Sequence, residues 1–239
     1  MKKLLAILSL FLLSCAGAYS ASLQQAEDAY REGRFAAALA QYEELLQAYP
    51  NNPYLYYNIG NCYFKMGTKG LAVANYYRAF RLDPRDKDIR HNLNLALQNS
   101  GESFVTKGIP VVLHQAFFYF TLAELKGLFF ITLCLFCMIG SLCAFRRKWG
   151  FSLWASLLLV CFCGAWYMGR AKLDAEPLAV VAAPVAELRS GPGKNFPASA
   201  NVAQGHLVLL QDSRDNWQEV IIKSQGVTGW IESNFLEKI

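Results

Sequence analysis

Apolar residues follow several different rhythms along this chain. Gly127–Phe145 and Trp149–Gly169 are two long runs without a single charged side chain. At about 1.5 Å per helical residue, each reaches roughly 30 Å, the thickness of a bilayer's hydrocarbon core. The pattern predicts two membrane-spanning helices, 127–145 and 149–169, joined by the turn 146–148 of Arg146, Arg147 and Lys148. Short loops rich in Lys and Arg stay in the cytoplasm, so the segments on either side of the hairpin are expected on the opposite face.

The start of the chain agrees. Met1-Lys2-Lys3, an apolar stretch to Leu13 and small residues around Cys15–Ala21 read as an export signal over 1–20. Leu12-Leu13-Ser14-Cys15 resembles a lipoprotein signal, which makes Cys15 a candidate lipidation site. Ordinary cleavage after Ala18 or Ser20 would instead discard it, and both readings stand.

Residues 22–100 repeat. Gly33, Ala38, Tyr42 and Pro50 recur at one constant offset as Gly67, Ala72, Tyr76 and Pro84. The offset is the period of about 34 residues expected of stacked helix–turn–helix units. In the second unit Tyr56, Ile59, Gly60 and Tyr63, followed by Ala72, Tyr76, Ala79 and Pro84, resemble the tetratricopeptide repeat. Gly60 and Ala72 let paired helices approach, and Pro84 stops the second helix. A third period opens near Lys87 with Asn92 matching Asn58 and stops after one helix, which reads as a cap. In that family the concave face binds extended peptides or partner proteins. The positions that match here are Tyr54, Tyr57, Asn58, Asn61, Phe64 and Lys65, with Asn92 in the cap. The asparagines resemble part of a clamp for a peptide carboxylate, but Tyr57 stands where that clamp has lysine. A second reading has them satisfying nearby backbone groups.

The aromatic segment 109–123 is too short to span and is expected in the membrane interface beside the first span. Beyond Lys172 the pattern turns to period two, broken by Gly, Pro, Asn and Asp. Leu188-Arg189-Ser190-Gly191-Pro192, Trp217 and Gly229-Trp230-Ile231 make 177–239 resemble a bacterial SH3 domain. Such domains bind peptides, often of the cell wall, so Arg189, Trp217 and Trp230 are ligand-binding candidates. A barrel this small also needs large residues for its core, and we expect Trp217 to be the packing ring and Trp230 the binding one. The fold class is thus multidomain: an all-α tetratricopeptide-repeat solenoid, a transmembrane α-hairpin and a small all-β SH3-like barrel.

Charge and cysteine narrow the function. The formal charge of +5 does not reside in the soluble parts. Residues 22–108 carry ten cations against nine acids, and 174–239 carry five against eight. Neither has the basic footprint of a nucleic-acid binder. Of seven cysteines only Cys62 falls in a soluble domain, which excludes a disulfide framework there. No HExxH, GxSxG or P-loop occurs, and His91, His114 and His206 sit near no cysteine or carboxylate cluster in the sequence. The reading is non-enzymatic, with no cofactor and no metal.

The order of signal, repeats, double span and barrel resembles BatE-type proteins of the bacterial aerotolerance operon. That resemblance implies a scaffold in the inner membrane, with both soluble domains on the periplasmic side. Its implied partners are envelope proteins, among them von Willebrand factor A-domain membrane proteins, beside a cytoplasmic MoxR-type ATPase, in a system linked to stress tolerance. The alternative is a membrane-anchored module that binds peptidoglycan.

Overall fold

The computed structural model describes residues 19–104, 108–145 and 150–239. The signal through residue 18, with Cys15, and the basic turn 146–148 lie outside the described residues. Two compact units emerge: one takes the chain up to Phe104 together with Pro177–Ile239, and the other is Val105–Glu176.

In the first unit, five helices form the repeats: α1 (19–31), α2 (Phe35–Ala48), α3 (Pro53–Lys65), α4 (Lys69–Leu82) and α5 (Lys87–Gln98). Tyr19 and Ser20, assigned above to the signal, open α1, and the Tyr19 hydroxyl accepts a 3.0 Å hydrogen bond from Asn52, the residue that caps α3. Gly33, Gly67 and Gly101 stand one repeat period apart and all take a positive φ, at +77°, +81° and +75°. Each ends a first helix: Arg34, Thr68 and Glu102, the next residues, donate backbone N–H groups to the carbonyls of Ala29, Tyr63 and Leu97 in the helix behind them. This is the left-handed helix stop that glycine adopts without strain. The third period therefore closes its first helix as the others do, but Glu102, Ser103 and Phe104 open no helix after Gly101 as Lys69 does after Gly67.

Small residues set the seams. A Cβ on Gly60 would lie 2.7 Å from the Tyr76 ring, and Ala26, Ala29, Ala38 and Ala72 are fully buried or nearly so. Tyr42, Leu45, Leu55, Ile59 and Cys62 fill the space between α1, α2 and α3. Burial, with Glu43 nearby, pushes the Cys62 thiol up to about 12, so it behaves as a small apolar residue.

The barrel is a seven-stranded antiparallel sheet in the order β3-β2-β6-β5-β4-β1-β7. Its strands are β1 (Leu178–Val181), β2 (Val185–Arg189), β3 (Ala198–Ala203), β4 (Leu207–Arg214), β5 (Trp217–Ile222), β6 (Val227–Glu232) and β7 (Leu236–Lys238). Asp215 takes φ +52° in the tight β4–β5 turn, a conformation that Asp tolerates. Inward residues Ala179, Val181, Leu188, Val208, Val220, Ile222 and Ile231 form the core. β1 departs from alternation: all four of its residues are buried. Its second face, Leu178 and Val180, turns away from that core, and β1 and β7 pack against α4.

The second unit holds the apolar hairpin. α7 (Leu122–Phe145) and α8 (Gly150–Asp174) are long and apolar enough to cross a membrane and pack on one another. Most of their apolar surface faces outward, including Phe130, Leu135, Met138, Trp154, Leu158 and Phe162. Thr121 and Glu124 cap α7 reciprocally: the Glu124 N–H donates to the Thr121 hydroxyl at 3.2 Å, and the Thr121 N–H to the Glu124 carboxylate at 2.9 Å. Before it lies α6 (Val111–Phe117), whose Phe117 ring centroid is 5.8 Å from the Arg170 guanidinium of α8. Trp166 Nε1 donates to the Phe117 carbonyl at 3.1 Å, and the buried Arg170 guanidinium lies 4.2 Å from the Phe118 ring centroid. A cation at the end of a long apolar helix finds counter-groups there, in Asp174 at 3.5 Å and the aromatic faces.

Candidate functional site

The expected groove residues sit on one side of α3. Leu55, Ile59 and Cys62 turn inward, whereas Tyr54, Tyr57, Asn58, Asn61, Phe64 and Lys65 keep some solvent exposure. Asn61, Phe64 and Lys65 converge with Asn92 of α5 around a cavity of about 180 Å³, whose remaining walls are Tyr30, Tyr76 and Leu95.

Its polar floor is a network that joins three helices. Tyr76 donates its hydroxyl to Asn61 Oδ1 at 2.7 Å, and Asn92 Nδ2 donates to the same oxygen at 3.0 Å and to the Tyr57 hydroxyl at 3.1 Å. Asn61 Nδ2 reaches Asn58 Oδ1 at 3.4 Å. Burial raises the Tyr30, Tyr57 and Tyr76 phenols above the usual tyrosine range, so they remain protonated. Lys65 stands exposed at the rim, in the last turn of α3.

Not every expected residue joins this cavity. Tyr57 contributes only its hydroxyl to the floor, while Tyr54 is hydrogen-bonded to Glu27 on α1. Asn58 Nδ2 donates back to the Tyr54 carbonyl at 3.0 Å, so for Asn58 the backbone-satisfying role is the one observed. Tyr30 and Leu95 escape the sequence reading, although the repeat period identifies them: Tyr30 lies one period before Phe64, and Leu95 one period after Asn61. Tyr76 is expected only to pack, and its hydroxyl adds the polar role.

In the barrel the two tryptophans are buried in the reverse order to the one expected. Trp230 is only 7% exposed and Trp217 is half-buried. Both share the outer face of the sheet, since Trp230 pairs with Arg189 and Glu219 while Trp217 pairs with Glu232 and Arg214. Alternation placed Trp230 outward, but the Arg214 guanidinium covers its ring at 5.5 Å from the centroid. Arg189 is likewise engaged: its guanidinium donates to the Lys194 and Phe196 carbonyls at 3.0 and 2.6 Å and pairs with Glu187. It holds the 190–197 arm in shape, while Trp217 and Phe196 remain the accessible rings.

One polar trio was invisible in the sequence. Glu102, 6% exposed, accepts a hydrogen bond from the Ser224 hydroxyl at 2.7 Å and lies 2.7 Å from His206 Nδ1, all on the same carboxylate oxygen. The residue types match a hydrolase triad but the wiring does not, because the serine proton points at the carboxylate rather than at an imidazole base. Among the described residues no group of three or more His, Cys, Asp or Glu could hold a metal ion.

Comparison with known proteins agrees with this architecture. The tetratricopeptide repeat family matches residues 23–87, and the bacterial SH3 domain family matches residues 182–238. No curated protein matches the chain. Among solved structures, the type III secretion translocator chaperone SycD of Yersinia enterocolitica, in an alternative dimer, aligns at 16% identity with a TM-score of 0.34, over 64% of this chain and 93% of that one. That overlap is too loose to bear on function. The chain joins two modules that are typically non-catalytic and serve interaction, a tetratricopeptide repeat and a bacterial SH3 domain, to two helices able to cross a membrane.

Proposed function

We propose that this protein is a non-enzymatic, membrane-anchored envelope adaptor that holds an extended segment of a partner protein in the concave groove of its repeats. The observation that carries this reading is the cavity between α1, α3, α4 and α5, whose floor is already hydrogen-bonded before any ligand arrives. A pre-organised floor spares a ligand the cost of ordering it. Phe64 and Leu95 offer apolar walls, and the Lys65 ammonium offers a counter-charge at the rim. The repeats would span 22–100 and the barrel 177–239, both outside the cytoplasm, with the basic turn 146–148 inside. The resemblance to BatE-type proteins suggests von Willebrand factor A-domain membrane proteins as partners, in a stress-tolerance complex.

A photo-crosslinking residue at Lys65 in the full-length membrane protein should give a discrete adduct with an envelope protein. The same residue at Glu44, exposed on α2, should not. Equal labelling from both positions would sink the groove assignment. Alkaline phosphatase fused after Ile239 should be active, and a fusion that works only in the cytoplasm would reverse the topology. A second reading, capture of cell-wall peptide by the barrel, draws on the accessible Trp217 and Phe196 rings. Co-sedimentation of the full chain with purified peptidoglycan, lost on Trp217→Ala, would favour it.

A further inference from the structure

We propose that the SH3 barrel completes the third repeat, standing where that repeat's second helix is missing, and that repeats and barrel therefore form one body on one side of the membrane. In a stack of helix pairs, each second helix packs on the second helix of the unit before it. The third unit has its first helix, α5, and the glycine stop at Gly101, but Glu102–Phe104 open no helix, and the next described helix, α6, belongs to the other unit. That leaves the outer side of α4 without its neighbour, and β1 and β7 pack there.

The fit begins at the repeat's own landmark. Thr68 opens α4 directly after Gly67, and its counterpart one period later, directly after Gly101, is Glu102. Instead of opening a helix, Glu102 reaches into the barrel, to His206 and Ser224. Nearby, Gly205 sits so close to Ser100 that a Cβ would collide with its hydroxyl. At the other end of α4's outer face, Arg78 pairs with Glu237 and donates to the Lys238 carbonyl, while Arg81 donates to the Ile239 carbonyl at 3.5 Å.

Between these polar ends the contact is backbone on backbone. A Cβ on Gly70 would collide with the Val181 carbonyl and come within 2.8 Å of Ala182 Cα. The face of β1 that turns from the barrel core supplies Leu178 and Val180, and α4 supplies Val73 and Ala74, which lie between Gly70 and Arg78, all buried. A strand buried on both sides is what a covering element requires, and a free barrel would have left that face wet. A body joined in this way cannot straddle a bilayer, so the chain must cross an even number of times between Phe104 and Pro177. The inference does not depend on what occupies the concave groove.

Hydrogen exchange on the full-length protein in detergent micelles tests it, because Gly70→Ala introduces a methyl group whose nearest neighbours are barrel backbone atoms. Peptides covering α4 and β1 should exchange on the order of tenfold faster, the scale of an overpacked contact, while α1 and α2 keep the wild-type rate. Arg78→Glu and Glu237→Arg should each loosen the same peptides, and combining them should restore protection. Unchanged exchange in β1 and β7 after Gly70→Ala, or a double variant no better than its parents, overturns the proposal. In sealed vesicles, cysteines placed at Gln47 and Lys194 should react alike with an impermeant maleimide, site by site in mass spectrometry. Opposite accessibility of the two would also overturn it.

Discussion

Replacing Gly60 with alanine would test how tightly the second repeat is closed. The new methyl carbon would lie 2.7 Å from Cδ1 and Cε1 of Tyr76, whereas carbon atoms are comfortable at about 3.5–4.0 Å, so the ring must retreat by roughly 1 Å. Tyr76 is 2% exposed and its ring centroid lies 5.9 Å from that of Tyr57, which leaves it little room. Overpacking of this kind costs about 1–3 kcal/mol. Retreat also draws the hydroxyl away from Asn61, at about 1 kcal/mol. Alanine's better helix propensity returns about 1 kcal/mol, leaving a net loss of about 1–3 kcal/mol. Native-state exchange of α3 and α4 amides in the micelle-bound full chain should therefore quicken by roughly 5- to 150-fold. Gly67→Ala makes the control, since its φ is +81° and no atom lies within 4 Å, so only backbone strain is added. If Gly60→Ala instead slowed exchange, as a plain gain in helix propensity would, the Tyr76 ring does not fill the seam and the cavity floor is misassigned.

Trp230→Ala should cost the barrel about 3–5 kcal/mol, read as lost protection across β5 and β6. Trp217→Ala should spare that protection, and equal losses would refute the idea that Trp230 alone packs into the fold. In Arg189→Lys a single ammonium nitrogen cannot stand both where Nη1 serves the Lys194 and Phe196 carbonyls and where Nη2 pairs with Glu187, so limited proteolysis should cut faster within 190–197. His114 is buried beside Arg170, and burial first, then that cation, holds it below the usual value of 6.5. The fold keeps the ring neutral while the unfolded chain protonates, so hairpin stability should be full above about pH 6.5 and fall as pH drops below it. His114→Gln should flatten that acid limb in thermal melts of the micelle-bound protein, and an unchanged limb would place the sensitivity elsewhere. Cys62, with its thiol raised to about 12, should resist maleimide at neutral pH until the repeats unfold.

The helices were readable because their signals are local and periodic: Gly33 and Gly67 mark the stops, and Ala38 and Ala72 mark the close approaches. The same period reaches Tyr30 and Leu95, so the cavity walls were within reach of the sequence. The floor was not, since Asn61 means little until Asn92 and Tyr76 arrive from two other helices. Alternation likewise tells that Trp230 points outward but not that Arg214 lies over it. Arg189 presents the same difficulty, because its partners are backbone carbonyls, and any sequence supplies those. Glu102 and His206 are 104 residues apart with both apolar runs between them. No spacing rule would pair them.

The shared face of α4 and β1 also imposes an order of events during synthesis. Val73 leaves the ribosome about 100 residues before Val180, and at about 5–20 residues per second that is a gap of roughly 5–20 s. For that interval α4 carries a bare apolar flank, because the last strands have not been made. A nascent chain halted within the hairpin would keep the flank bare indefinitely, exposing it to proteases and folding helpers. Arrival of the barrel thus doubles as a completion signal: only a chain translated to its last strands can hide α4 from quality control.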